Sequence, residues 1–442
     1  MLGRNVLPTL TLIVSITLLP DLSSANARED LFGAGARMKG MAGAGTASDF
    51  DASGLYYNPG NLGFIRGSSL SLEISQLGYG FEVEDDEEFP SVDPLRSRTT
   101  VNLGMTMPLP FNMALGAMIN VGTERIQFFD QSTPTDQPRF GLYGQQLEQL
   151  SLMIGLAYRV FDQLAFGVTV APLVNSALGL DSGVPIYSGE EEVQSRYAWN
   201  LEPSMTYYIG MHYRPVEDFE VGLTYRTVMF HKLQANADIV VDLTGAQVPM
   251  NLVLESFAWY SPRQISLGFF STSLPFLHVS ADITWMDWSE YPGPYVTASP
   301  EDDSALAESL IYADDVEVNF RDTFIPRLGL EWLWESGIRM RMGYRYQASP
   351  APLPDARKNL LDGATHFGSF GFGYAYEPAL TYGGMIAPTP SGAPFIIRGD
   401  VYATVGYMPE QVVAKDGEVE SLQNYSFGGY VYEVGVGITS TF

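Results

Sequence analysis

Between Gly337 and Tyr346 three arginines alternate with apolar residues. Arg339, Arg341 and Arg345 fall on one parity, and Ile338, Met340, Met342, Tyr344 and Tyr346 on the other. A guanidinium holds a carboxylate through paired, charge-assisted hydrogen bonds. Arg327 and Arg398 lie in stretches of the same strand-like character. Two uses compete for these five cations. They hold the carboxylate of a ligand, or they pair with Glu331, Asp282, Asp322 or Asp400 across neighbouring strands and with carbonyls of the N-terminal Gly/Ala-rich segment. An unpaired buried charge is costly, so the second use weighs more.

Other reactive residue types are sparse. The chain has no cysteine, which removes disulfides, thiol catalysis and thiolate metal sites. His212, His231, His278 and His366 show no metal-ligand spacing. His278 and Ser280 share one face of a single strand, which fits a polar lining better than a base aimed at a nucleophile. No G-x-S-x-G motif occurs. The expectation is a protein that is not an enzyme and carries neither cofactor nor metal. A net charge of −27 argues against nucleic acid as a partner.

The arginines need elements that point them inward. At the C-terminus, Tyr430, Tyr432, Val434, Val436, Ile438, Ser440 and Phe442 share one parity, and Val431, Glu433, Gly435, Gly437, Thr439 and Thr441 the other. Period two is the mark of a strand whose two faces meet different surroundings. The same alternation yields fourteen strands, over 67–81, 98–107, 112–127, 146–160, 163–173, 196–213, 219–234, 252–270, 276–287, 317–333, 337–347, 365–376, 395–407 and 425–442. An arginine facing lipid at mid-depth costs ~2–4 kcal/mol, so the arginine parity faces a lumen and the Met/Tyr parity faces lipid.

Connection lengths alternate too. Short turns at 108–111, 161–163, 215–218, 271–275 and 335–337 are expected in the periplasm, and long loops outside. The connection 377–394 breaks this rule, being long at a periplasmic position. Acidic runs lie in the external loops: Glu82, Glu84, Asp85, Asp86, Glu87 and Glu88; Glu190 to Glu192; Glu301, Asp302 and Asp303. They read as solvated surface, or as a bridge through divalent cations to the anionic outer leaflet.

The N-terminus reads as an export signal over 1–27, with Arg4, the apolar run Leu7 to Leu19, and Ala25-Asn26-Ala27 as cleavage site. Residues 28–66 follow, Gly/Ala-rich over 32–66 and unlike a strand. Small residues let a chain pack into a narrow space. Pro59 fixes its own φ and holds Asn58 extended, giving a corner before the wall begins at 67. The glycines here miss the dinucleotide fingerprint, because Met38 and Ser48 stand where a third glycine is required.

The segment Gly35 to Pro59, of the form G-A-x-x-x-G-x-A-G-A and then D-A-S-x-x-Y-x-N-P, resembles the hatch of the FadL/OmpP1/TodX family of outer-membrane transporters. Asp282 to Ser289, Phe320 to Gly329, and Gly343 to Pro350 with Pro354 resemble the same family. The family's Asn-Pro-Ala stands here as Asn58-Pro59-Gly60. The resemblance implies an all-β, fourteen-stranded antiparallel transmembrane barrel over 67–442, plugged in its lumen by 28–66. It implies a monomer in the outer membrane of a Gram-negative bacterium, among phospholipid and lipopolysaccharide. The expected activity is passive uptake of long-chain fatty acids or aromatic hydrocarbons, with exit sideways into the membrane. The alternative is a non-transporting barrel that serves as scaffold or secretion partner. A plain aqueous porin fits poorly with a plug.

The resemblance also suggests roles for residues. Asn58, Pro59 and Gly60 form the hatch motif. Gly122 interrupts the third strand where a kink could open the wall, or is simply a small lumen residue. Phe128, Phe129, Phe140, Leu142 and Tyr143 line an external landing groove, or pack a loop. Arg327, Arg339, Arg341, Arg345 and Arg398 are the candidates for holding the ligand.

Overall fold

The computed structural model describes residues 28–48, 50–85, 97–122, 138, 140, 142–143, 151–172, 186–188, 191–193, 197–201, 205–243, 246–293, 297–300, 319–354, 359–376, 381–382, 385–386, 395–414 and 424–442. The expected export signal over 1–27 lies outside them. Fourteen strands form a closed barrel in sequence order. They are β1 (Ser69–Asp85), β2 (Arg98–Leu109), β3 (Met113–Gly122), β4 (Ser151–Phe161), β5 (Leu164–Pro172), β6 (Met205–Val216), β7 (Phe219–Arg226), β8 (Gln264–Leu274), β9 (Leu277–Met286), β10 (Thr323–Leu333), β11 (Ile338–Gln347), β12 (Thr365–Tyr376), β13 (Ile396–Val413) and β14 (Tyr425–Thr441). Every pairing is antiparallel, and β1 zips to β14 along its whole length.

The faces follow parity. On β14, Tyr430, Val434, Val436 and Ile438 face out, while Val431 and Glu433 are fully buried. On β11, Met342 and Tyr344 face out and Arg341 and Arg345 are buried. No helix among the described residues is long and apolar enough to cross a membrane.

Three expected strands ran too far. The stretches 196–213, 219–234 and 252–270 each contain a wall strand and part of a second element. Thr227–Val228 interrupts the strand after β7, and Pro262, which has no N–H to donate, interrupts it before β8. The excess residues form a separate four-stranded sheet, in the order Thr297–Pro300, Ala246–Ser261, Met229–Leu243, Tyr197–Leu201. Alternation continues through the break because both sheets use the same period. The long connection after β12 does not disturb the strand count. Its described part is a hairpin of Thr381–Tyr382 with Met385–Ile386.

Residues 29–48 and 50–64 lie against the inward face of the wall. They form short helices at Arg28–Phe32, Ala36–Lys39 and Gly54–Tyr57 and a 3-10 turn at Pro59–Phe64. Wall glycines make room for them, four times as directly opposed pairs on adjacent strands: Gly116 with Gly155, Gly167 with Gly210, Gly222 with Gly268, and Gly329 with Gly343. These pairs meet Leu55, Asn58-Pro59, Thr46 and Met41 respectively. A side chain at any of them would overlap the segment.

Candidate functional site: the filled bore

The corner at Asn58 is built as its sequence suggests. Asn58 is fully buried. Its backbone is extended, at φ −164° and ψ 103°, as a residue before proline should be. The side-chain oxygen accepts from the Gly60 N–H at 2.9 Å. The amide donates to the Thr46 carbonyl at 2.8 Å and to the Met211 carbonyl of β6 at 2.9 Å. One side chain thus ties two turns of the segment to the wall.

Close by, His212 was missed by a reading that looked only for metal spacing. Its Nδ1 lies 2.7 Å from Asn61 Oδ1, and its Nε2 lies 2.7 Å from Glu220 Oε2. Arg214 reaches the same Glu220 oxygen at 3.1 Å and covers the Phe64 ring at 3.9 Å.

The five arginines divide into two kinds. Arg341 is fully buried and donates to Glu331 at 2.7 Å and Asp400 at 2.6 Å. Glu331 also takes Arg37 of the segment at 2.8 Å. Arg398 joins Asp400 at 2.9 Å to Asp51 of the segment at 2.8 Å. Arg345 donates to the Leu31 carbonyl and lies 3.8 Å from the Phe367 ring centre. These three are committed to the protein. Arg327 donates to Thr284 at 2.7 Å, and the Nε of Arg339 has no hydrogen-bond partner among the described residues. Of the expected carboxylate partners, Asp282 instead accepts from the N–H and hydroxyl of Thr46, and Asp322 from the Ser289 N–H.

Above the segment the bore is apolar. Phe32 meets Phe367 edge-on, with ring centres 6.2 Å apart. The same buried cluster includes Leu77, Phe140, Leu142, Tyr143, Leu361, Met408 and Phe427. Phe81 stacks on Phe140 at 4.6 Å, and Phe140 meets Phe427 at 6.0 Å. Phe140, Leu142 and Tyr143 are therefore packed inside a cap in this state, not spread on an open groove. Phe128 and Phe129 lie outside the described residues. Gly122 is the last residue of β3. There β3 still pairs with β2, and its described pairing with β4 runs from Met113 to Asn120, which lies opposite Ser151.

Asp362 sits in this cap, buried, with the Ser349 hydroxyl donating to it at 2.5 Å. Burial pushes its carboxyl up to about 7, although Ser349 and the Gly363 and Ala351 amides pull the other way. Below about pH 7 the cap therefore favours the neutral acid. The stabilisation is complete below the ordinary 3.8 and is lost as pH rises through about 7. Thermal unfolding of the cap, followed by its aromatic signal, should shift to lower temperature between about pH 4 and pH 7. Asp362→Asn should flatten that shift. An equal shift in the variant would mean that another group titrates.

Beside the segment the lining is polar. One cavity is bounded by Thr46, Tyr56, Tyr208, Arg226, Gln264 and Arg327, and another by Arg37, Asp51, Glu73, Asn102, Arg398 and Asp400.

Comparison with known proteins matches this architecture. Residues 30–383 match the family model described as outer membrane protein transport protein (OMPP1/FadL/TodX). The alkane uptake protein A of Marinobacter nauticus is 26% identical over 319 residues, covering 67% of this chain and 68% of that one. A Pseudomonas aeruginosa FadL homologue shares the fold with a TM-score of 0.57 at 14% identity, over 91% of this chain and 96% of that one. The CymD monoaromatic hydrocarbon channel does so at 0.54 and 17% identity, over 93% and 98%. With its family model spanning most of a closed fourteen-stranded barrel, the chain belongs to the OMPP1/FadL/TodX family of outer-membrane transport proteins.

Proposed function

We propose that this protein carries hydrophobic compounds, long-chain fatty acids or hydrocarbons, passively across the outer membrane, with residues 28–66 as the plug and with exit sideways into lipid. The observation that carries this reading is the division of the bore. An apolar column from Phe32 to Phe427 stands above a segment flanked by charged and hydroxylated cavities. An apolar molecule gains ~0.8 kcal/mol for each CH₂ kept out of water, so it follows the column and avoids the polar cavities. Its low-cost exit is through the wall. Gly122, the last residue of β3 and of a type that lets a strand bend, is our candidate for that opening. The names of the relatives support an apolar cargo, since two of them specify alkanes and monoaromatic hydrocarbons.

Uptake of labelled oleate, hexadecane and toluene into cells with and without the chain tests this directly. At least one label should accumulate several-fold faster with it, while ion conductance in planar bilayers stays near background. Equal uptake of all three would leave the barrel as a scaffold. High steady conductance would make it a porin.

A further inference from the structure

We propose that the N-terminal segment has a second role, independent of cargo: it is the template on which the barrel closes, acting through Lys39. The β1–β14 seam differs from every other joint of the wall. The other joints link strands that follow one another in the chain, whereas the seam links the first strand to the last. Closing so large a loop is the slow, entropically costly step of such a topology.

The seam also has an electrostatic problem at its middle. Glu73 of β1 and Glu433 of β14 both point into the bore, 5% and 0% exposed. Zipping the strands in register buries both carboxylates together. Like charges desolvated side by side oppose the pairing. Lys39 resolves this. Its Nζ donates to Glu73 at 2.8 Å and to Glu433 at 3.0 Å, and its third bond goes to the Tyr402 hydroxyl at 3.2 Å. Tyr402, on β13, also lies 2.7 Å and 3.1 Å from the same two carboxylate oxygens. One ammonium thus bridges the two edges that must meet.

Its placement is firm. The Lys39 carbonyl accepts from Thr404 of β13 at 3.3 Å, and Ala36 of the same short helix packs on Gly437 of β14. The other charged links of the segment, Asp30 to Arg226 on β7, Arg37 to Glu331 on β10 and Asp51 to Arg398 on β13, each reach one place on the wall. Among the described residues, only Lys39 joins both sides of the seam by ion pairs. Lys39 also precedes every wall strand in the chain.

The chain has no cysteine, so a pair can report the seam cleanly. Leu72→Cys and Ile438→Cys stand directly opposite each other on β1 and β14. Full-length protein with this pair would be refolded from urea into phospholipid vesicles. Closure would be timed by disulfide formation on oxidation and by heat-modifiable mobility. Lys39→Met should slow closure by roughly tenfold or more, the share of a broken buried ion pair that reaches the folding barrier. Adding Glu73→Gln and Glu433→Gln should restore the rate, because two neutral amides need no cation. Asp30→Asn, which breaks the link to β7, should leave the closure rate near that of the parent. Closure of Lys39→Met at the parent rate would overturn the proposal, as would equal slowing by Asp30→Asn. If Lys39→Met fails to fold at all, the triple variant decides: folding supports the template role, and failure to fold removes it.

Discussion

Replacing Gly167 by leucine is expected to make the barrel leakier and much less stable. The wall glycine Gly167 faces the backbone of Pro59, and its partner Gly210 faces the side-chain oxygen of Asn58. Neither neighbour can swing aside, since one is main chain and the other is held by three hydrogen bonds. Overpacking alone costs about 1–3 kcal/mol. Each buried polar group left unmade as the corner lifts adds about 1–3 kcal/mol. A total loss on the order of 3–6 kcal/mol follows, read as a lower urea midpoint in detergent. With the corner displaced, single-channel conductance in planar bilayers should rise well above the parent. The molecule supplies its own controls. At Gly368 and Gly399 a Cβ would meet open space, so alanine there should change neither quantity. Parent-like conductance and stability in Gly167→Leu would show that the corner is not the plug's fixed point.

What could be read from the chain beforehand has a physical pattern. Parity told which face of Ile338–Gln347 meets lipid, because a charged side chain cannot sit there cheaply and alternation records that cost at every second residue. It also exposed the Asn58-Pro59 corner, since proline restricts its predecessor wherever it occurs. Parity does not record where a strand leaves the membrane. The stretch 219–234 therefore ran on from β7 into the external sheet. The glycine pairs were invisible for a different reason. Gly167 and Gly210 become opposite only once register is known, and register depends on loops whose lengths carry no such information. Lys39, His212 and Asp362 escaped notice likewise. Lys39 gains its meaning from Glu433, far along the chain, and His212 and Asp362 gain theirs from Glu220 and Ser349 across a turn or loop and from burial that composition does not show.

The division of the arginines leads to the second large effect. Arg341→Met should lower stability by about 3–5 kcal/mol, because it strips one partner from two buried carboxylates at once. Glu331 would keep Arg37, and Asp400 would keep Arg398, so the barrel should still fold. Cargo preference should not move, since Arg341 has no exposed surface from which to greet a ligand. Arg327→Met should do the reverse. Arg327 borders a cavity and gives one bond to Thr284, so its loss should cost about 1 kcal/mol or less. If cargo carries a carboxylate, Arg327→Met should depress oleate uptake relative to hexadecane, measured by competition in the same cells. Were Arg341→Met to alter the oleate-to-hexadecane ratio at unchanged stability, the buried ion network would be a binding site, and its pairing with Glu331 and Asp400 would be only the resting state of that site.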